Sequence, residues 1–361
     1  MGPSMRVRTY LARDVFMLKG AQQMRISDLG RYALGCCAAF AMLAGCGGGA
    51  QSPLTPSGPL QQQSNAQPGV MALHPDHSRS WMTPGAATGD LLYISNFNTE
   101  TVLAYSYPQD KLVGKLTGFK GPEGLCADKK GDVWVVNHTG NDVVEYKRGG
   151  TKPIATLHDA GESPISCSVD PSTGDLAVTD FESGDVSFYA HAKGSPKLYK
   201  VPSAEWAYFC GYDDKGNLFV DGWTGATLGF TFAELPKGKK SFTTIYLTGA
   251  TIYFPGNVQW DGKYVAVGDE ESQLSSSGYY QSAIYQTTGA GGKIVHKTVL
   301  TGSGDIVEFS IDGKTVIGPD YQWEGANTVL FWHYPAGGKP EKSLTKGLGG
   351  PFGSAISLVP K

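Results

Sequence analysis

Apolar residues along this chain come in short runs punctuated by polar turns, not at helical spacing. Gly121–Tyr146 (GPEGLCADKKGDVWVVNHTGNDVVEY) shows the pattern most clearly. Leu125–Ala127 is a short apolar run, Lys130-Gly131-Asp132 a tight turn, Val133–Val136 a β-branched and aromatic run, His138–Asn141 a second turn, and Val143–Tyr146 a third run. A fourth follows at Pro153–Leu157. Runs of this composition bounded by Gly, Asn and Asp predict antiparallel strands joined by hairpins.

The unit recurs. Its first turn appears as Gly89-Asp90, Gly131-Asp132, Gly174-Asp175, Gly216-Asn217, Gly262-Lys263 and Gly313-Lys314, at intervals of 42, 43, 42, 46 and 51 residues. Each turn is followed by a strand-like run, and each run ends near an Asn or Asp: Asn96, Asn137, Asp180, Asp221, Asp269 and Asp320. One four-stranded sheet of about 40 residues cannot bury both its faces, so such units are stable only against neighbours. The expectation is an all-β, six-bladed propeller of four-stranded antiparallel blades. Ahead of Gly89, WMTPGAAT makes a poor first strand, whereas Gly350–Gly353 followed by SAISLV resembles Gly121–Gly124 followed by LCAD. The C-terminal strand is therefore expected to pair into the first blade and close the ring.

Composition agrees: 49 glycines and 18 tyrosines favour short strands and tight turns. A net charge of −3 gives no basic footprint, which excludes nucleic acid as an expected partner. The chain divides into residues 1–46, a targeting segment; 47–84, a Gly-, Gln-, Ser- and Pro-rich flexible tether; and 85–361, the propeller. Arg25 and Arg31 precede an apolar stretch from Tyr32 to Met42 that ends in Leu43-Ala44-Gly45-Cys46. This resembles a bacterial lipoprotein signal with its lipobox, and implies translation from Met24 and acylation of Cys46. Three acyl chains would hold the protein in a lipid bilayer. Gly47 after the cysteine resembles the outer-membrane sorting class, so the implied address is the cell envelope, on the periplasmic or the outward face. His74-Pro75-Asp76-His77 carries metal-ligand residue types but reads as linker.

Of six cysteines, Cys36 and Cys37 lie in the signal and Cys46 carries the lipid, which leaves Cys126, Cys167 and Cys210 in the fold. Cys167 and Cys210 stand three residues before Asp170 and Asp213. Cys126 stands two before Asp128, and so points to the other side of its strand. Two readings follow: a Cys167–Cys210 bridge between adjacent blades, or three buried thiols.

Pro122-x-Gly124-Leu125-x-x-Asp128-x-x-Gly131-Asp132-Val133-Trp134-Val135-x-Asn137, with weaker copies around Asp170 and Asp213, resembles NHL-type repeats over residues 89–360. More distantly the chain resembles the regucalcin and gluconolactonase-like six-bladed propellers, in which acidic and amide side chains hold a divalent cation in the central channel. The face formed by the loops before the first strands and after the second strands is acidic, amide-rich and aromatic. Glu123, Asn257 and Asp305, which do not recur between blades, offer oxygen ligands for a cation such as Ca2+. His138, Trp206, Tyr208, Trp223, Phe254, Tyr321 and Trp323 offer a shallow site for a protein, peptide or glycan. The recurring Asn and Asp residues read as turn caps bonded to their own backbone, and His138 as a solvated turn residue. The insertion Asp269–Tyr280 reads as an enlarged loop.

No nucleophile elbow, His-Glu-x-x-His, phosphate-cradling loop or dinucleotide fingerprint occurs. No catalytic residue is therefore assigned. Two functions remain: a membrane-anchored extracytoplasmic propeller that binds or scaffolds a partner, and a divalent-metal-dependent hydrolase of the lactonase type.

Overall fold

Five of the six recurring glycine turns close hairpins because the glycine takes a left-handed conformation that strains other residues, while Gly89 is extended. φ is 77° at Gly131, 75° at Gly174, 80° at Gly216, 95° at Gly262 and 56° at Gly313. An aspartate ahead of four of the turns, Asp128, Asp170, Asp213 and Asp261, fixes it further. Asp128 Oδ1 accepts from the amides of Lys130 and Asp132, and Asp213 Oδ1 from those of Lys215 and Asn217.

The computed structural model describes residues 74–161, 163–225, 229–274, 280–321 and 327–360. The signal, the lipobox with Cys46, most of the tether, Glu162 and Trp323 lie outside the described residues. The rest is a ring of six antiparallel sheets. The innermost strands of blades 2 to 6 are Pro122–Ala127, Pro164–Val169, Trp206–Tyr212, Pro255–Trp260 and Ser310–Asp312. The innermost strand of blade 1 is C-terminal: Pro351–Ser357 pairs with Leu91–Asn96, Ala355 opposite Tyr93. Both ends of the propeller thus meet in one sheet, as the sequence predicts.

Three details differ from the sequence reading. Trp81–Met82, inside the expected tether, forms a short fifth strand on the outer edge of blade 1, opposite Lys115 and Gly114. The enlarged loop of blade 5 is largely hairpin: Val265–Leu274 pairs with Tyr280–Thr287 as far as Leu274 opposite Tyr280. A polar run there continues the strand pairing, which composition alone reads as loop.

Alternate residues of each second strand face alternate neighbours. In blade 2, Val133 and Val135 join the apolar cluster shared with blade 1, while Trp134 and Val136 join the one shared with blade 3. In blade 3, Leu176 and Val178 face back to blade 2 and Ala177 faces blade 4. The same alternation decides the third difference, the disulfide. Cys126 pairs with Trp134, the second residue of its neighbouring strand, and Cys167 pairs with Val178, the third. Their side chains therefore meet in the gap between blades 2 and 3, where Cys126 and Cys167 are bonded, their Cα atoms 5.7 Å apart. The Cys167–Cys210 bridge does not form. Cys210 pairs with Val220, again a third residue, so it points the same way round the ring as Cys167. Its thiol faces the Ala177 carbonyl of blade 3 and is free and buried. Neighbouring blades can be bridged only from opposite strand phases.

Candidate functional site

The inner strands enter the channel through bulges. Their register slips between Pro122 and Leu125, between Ala207 and Cys210, and between Gly256 and Val258. The bulge turns Glu123 inward, where it is 4% exposed. Its Oε2 has no hydrogen-bond partner, and it lies 3.6 Å from His138 Nδ1. His138 is 9% exposed, not a solvated turn residue. Its Nδ1 lies 3.0 Å from the carbonyl oxygen of Pro164, which can only accept, so that nitrogen carries the proton. Burial pushes the Glu123 carboxyl up to about 7, against the pull of His138.

A second channel carboxylate, Glu308, went unread in the sequence. It accepts from the Leu125 amide and from Ser166 Oγ, each at 3.2 Å, and from the Ser354 amide. Burial and, to a lesser extent, Glu123 push it up to about 8 despite these donors. The signal for it lay in the two Pro-x-Gly starts. A Cβ at Gly353 would collide with Glu308 Oε2, and one at Gly124 would press on Oε1 and on the backbone of Ile165 and Ser166. Those glycines leave room for a side chain that reaches in from blade 6.

The proposed cation ligands are placed differently from one another. Asn257 Nδ2 donates to the Phe309 carbonyl at 2.6 Å while its Oδ1 accepts from the Val258 amide, so backbone holds both ends of the carboxamide. Asp305 lies in the loop leading into blade 6, its own amide held by Asp320. Of the three, Glu123 alone has a buried carboxylate oxygen without a hydrogen-bond partner; the carboxylate that lines the channel cavity beside Asn257 is Glu308.

Four of the aromatic residues do come together, on the face where the inner strands begin. Trp206 stacks on Phe181 (6.4 Å between ring centroids), Phe181 meets Tyr208 edge-on (5.0 Å), Tyr208 meets Phe254 (5.7 Å), and Phe254 meets Trp223 (5.1 Å). Phe181 and Trp223 are buried, while Trp206, Tyr208 and Phe254 are half-exposed. Tyr253, beside Phe254, is 59% exposed. Tyr321 packs on Phe352 across the channel mouth, 5.7 Å away.

The recurring Asn and Asp residues position this face. They do so by accepting from backbone amides in, or just ahead of, the inner strand of their own blade, and Asn137 also spans its following turn, its Nδ2 donating to Asp142. Asp269 accepts from the amides of Tyr253 and Phe254, Asp320 from those of Gly304 and Asp305, Asp221 from that of Phe209, and Asn137 from that of Lys120. Asp180 differs: it lies against the Asp159 carboxyl, and burial together with that neighbour raises it. Asp269→Ala would orphan two amides beneath the aromatic strip, and should destabilise the fold by about 2 kcal/mol. Hydrogen exchange would show the Tyr253 and Phe254 amides losing protection first; unchanged exchange there would refute the role.

No family model matches the sequence, and no curated protein does. Solved structures match in fold. A chain of the nidogen/laminin complex shares 12% identity at a TM-score of 0.60, covering 75% of this chain and 99% of its own. Hydrazine synthase of Kuenenia stuttgartiensis shares 16% identity at 0.51, covering 76% and 80%. Virginiamycin B lyase from Staphylococcus aureus shares 12% at 0.46, covering 64% and 74%. At these identities the likeness is one of architecture, and the chain is a six-bladed β-propeller.

Proposed function

We propose that the chain is a lipid-anchored, extracytoplasmic binding propeller, tethered through acylated Cys46, that takes a protein, peptide or glycan partner on the face bearing Trp206, Tyr208 and Phe254. The observation that carries this reading is the aromatic strip itself. Half-exposed rings held in mutual contact and anchored from below by Asp221 and Asp269 offer rigid apolar area at little entropic cost. The Cys126–Cys167 bond supports an oxidising compartment. The test combines photo-crosslinking in intact cells with cell fractionation. Trp206→Ala/Tyr208→Ala should lose the crosslinked species of the wild-type chain, and Cys46→Ala should move the protein from the membrane pellet to the soluble fraction. A wild-type crosslinking pattern in the double variant would refute the recognition face. A membrane-bound Cys46→Ala would refute the anchor.

A second reading, hydrolysis of an ester or lactone, is favoured by one observation: the unpartnered Glu123 oxygen beside His138, on a carboxyl raised to about 7. It now rests on that pair and not on the trio with Asn257 and Asp305. A lactone screen in which Glu123→Gln abolishes turnover would support it.

A further inference from the structure

Blade 3 departs from its neighbours at the recurring acidic position. Where Asp221, Asp269 and Asp320 accept from backbone amides, the carboxyl of Asp180 lies within hydrogen-bonding reach of the Asp159 carboxyl. Both are buried, Asp180 completely and Asp159 to 8% exposure. Donors are scarce there. Ser187 Oγ donates to Asp180 Oδ2 at 2.9 Å, and the one Tyr189 hydroxyl proton is divided between Asp159 Oδ1 at 3.2 Å and the His158 carbonyl at 2.9 Å. Asp159 Oδ2 and Asp180 Oδ1 have no partner. Among the described residues no cation answers them either. Lys200 is taken by Asp185 and the Ser183 carbonyl, the His158 ring is exposed, and Asp142, opposite His158 on blade 2, accepts from Asn137.

Two carboxylate ions in such contact repel, and one proton held between them replaces the repulsion with a charge-assisted hydrogen bond. The pair stands beside the residue that joins the aromatic strip. Phe181 follows Asp180 in the chain, its ring links Trp206 to Tyr208, and its amide donates to the Ser163 carbonyl at 3.0 Å. Ser163 ends the loop that starts at Asp159, and its φ of 60° is a conformation that must be held by its surroundings. That loop passes directly over the pair: a Cβ at Gly161 would stand 2.2 Å from Asp180 Oδ2. The contact between Asp159 and Asp180 therefore ties the loop to the strand that carries Phe181. We propose that Asp159 and Asp180 share one proton and form a pH-sensitive latch, which holds Phe181 and its end of the aromatic strip in place until that proton is lost. Burial and the Asp159 carboxyl raise Asp180, and Asp185 adds to this, so the release lies on the alkaline side of the ordinary carboxylate range. The folded pair keeps a proton that the unfolded chain has given up, so the latch weakens as pH rises. Its control of recognition rests on the aromatic strip being the partner face; the latch itself does not.

The test reads the latch without a partner. Hydrogen exchange of the Phe181 amide is followed by pulse labelling of the full chain across neutral and alkaline pH. Wild-type protection should fall about tenfold per pH unit once the shared proton is lost. Asp180→Asn supplies the missing hydrogen permanently from its side-chain amide, so it should keep near-neutral protection and lose the steep fall. Asp159→Asn should do the same from the other side, and keeps the test decisive if Asp180→Asn fails to fold. Asp180→Ala supplies no hydrogen and should lower protection about tenfold at neutral pH. Comparison with the Asn variants cancels any fall common to the whole fold. Parallel profiles for the wild-type chain and the Asn variants would overturn the proposal. So would a melting temperature that Ca2+ raises in the wild-type chain and in neither Asn variant, which would assign the pair to a metal ion instead of a proton. Crosslinking of Trp206→Ala/Tyr208→Ala decides the recognition face separately, so either reading can fail alone.

Discussion

Cys167→Ser is expected to lower the stability of the folded chain by about 4 kcal/mol, since a cross-link closing a loop of this size removes that much chain entropy from the unfolded state. The loop spans a sequence separation of 41, between two consecutive blades. For a domain of this size such a loss corresponds to a fall in melting temperature of about 10 °C. Cys126→Ser should match it. The double variant should be no worse than either single one, because one bond is lost in all three. Cys210→Ala separates this linkage from the alternative: its thiol is buried and bonded to no cysteine, so the variant should keep the bridge and lose only the packing of one small side chain. Peptide mapping without reductant should recover Cys126 joined to Cys167 from the wild-type chain and from the Cys210 variant. A Cys167–Cys210 peptide, or a Cys126 variant as stable as the parent, would contradict the structure.

The correct cysteine pair was legible in the phase of the strands. Cys126 stands two residues before its turn aspartate and Cys167 three, so they lie on opposite strand faces, which is the condition for meeting across a gap between blades. Equal spacing looked like a match between Cys167 and Cys210, but equal phase in successive blades means side chains that follow one another round the ring. The blade count and the closing strand were legible because both depend on local signals: a glycine at positive φ, a β-branched run, and a Pro-x-Gly start repeated at Gly350–Gly353. Glu308 was not. Its partners Leu125, Ser166 and Ser354 come from blades 2, 3 and 1, and nothing in the sequence near Glu308 announces them. The bulges compound this, since a one-residue slip turns a side chain from the blade face into the channel. The aromatic strip was half legible. Trp206, Tyr208, Phe254 and Trp223 read as belonging to the loops that any propeller gathers on one face, and three of them stand in the strand ends beside those loops, whereas Phe181, which joins Trp206 to Tyr208, reads locally as an ordinary turn residue.

The channel carboxyls also make stability depend on pH, in the direction opposite to that of salt-bridged proteins. A carboxyl raised in the folded state keeps its proton while the unfolded chain has already lost it, so the native form binds more protons and its stability falls as pH rises. For Glu308 the contribution is whole below the ordinary glutamate value of 4.5 and is lost progressively up to about 8; for Glu123 the loss runs to about 7. Asp269, raised to about 6, adds to the same slope. Wild-type protein should therefore unfold at lower denaturant at pH 8 than at pH 5. Glu308→Gln removes one titrating group and keeps the shape. Whatever its stability at pH 5, where Gln meets the same three donors with one oxygen fewer, the variant should lose less than the parent on going to pH 8. The difference between the two changes should be about 3 kcal/mol, some two to three pKa steps of 1.4 kcal/mol each. Comparing changes rather than absolute values cancels the altered hydrogen bonding, which does not depend on pH. Parallel stability curves for the two proteins from pH 5 to 8 would mean that Glu308 ionises like an exposed glutamate. The channel would then be wet and open at that level, and Glu308 would not have the desolvated character that its burial implies.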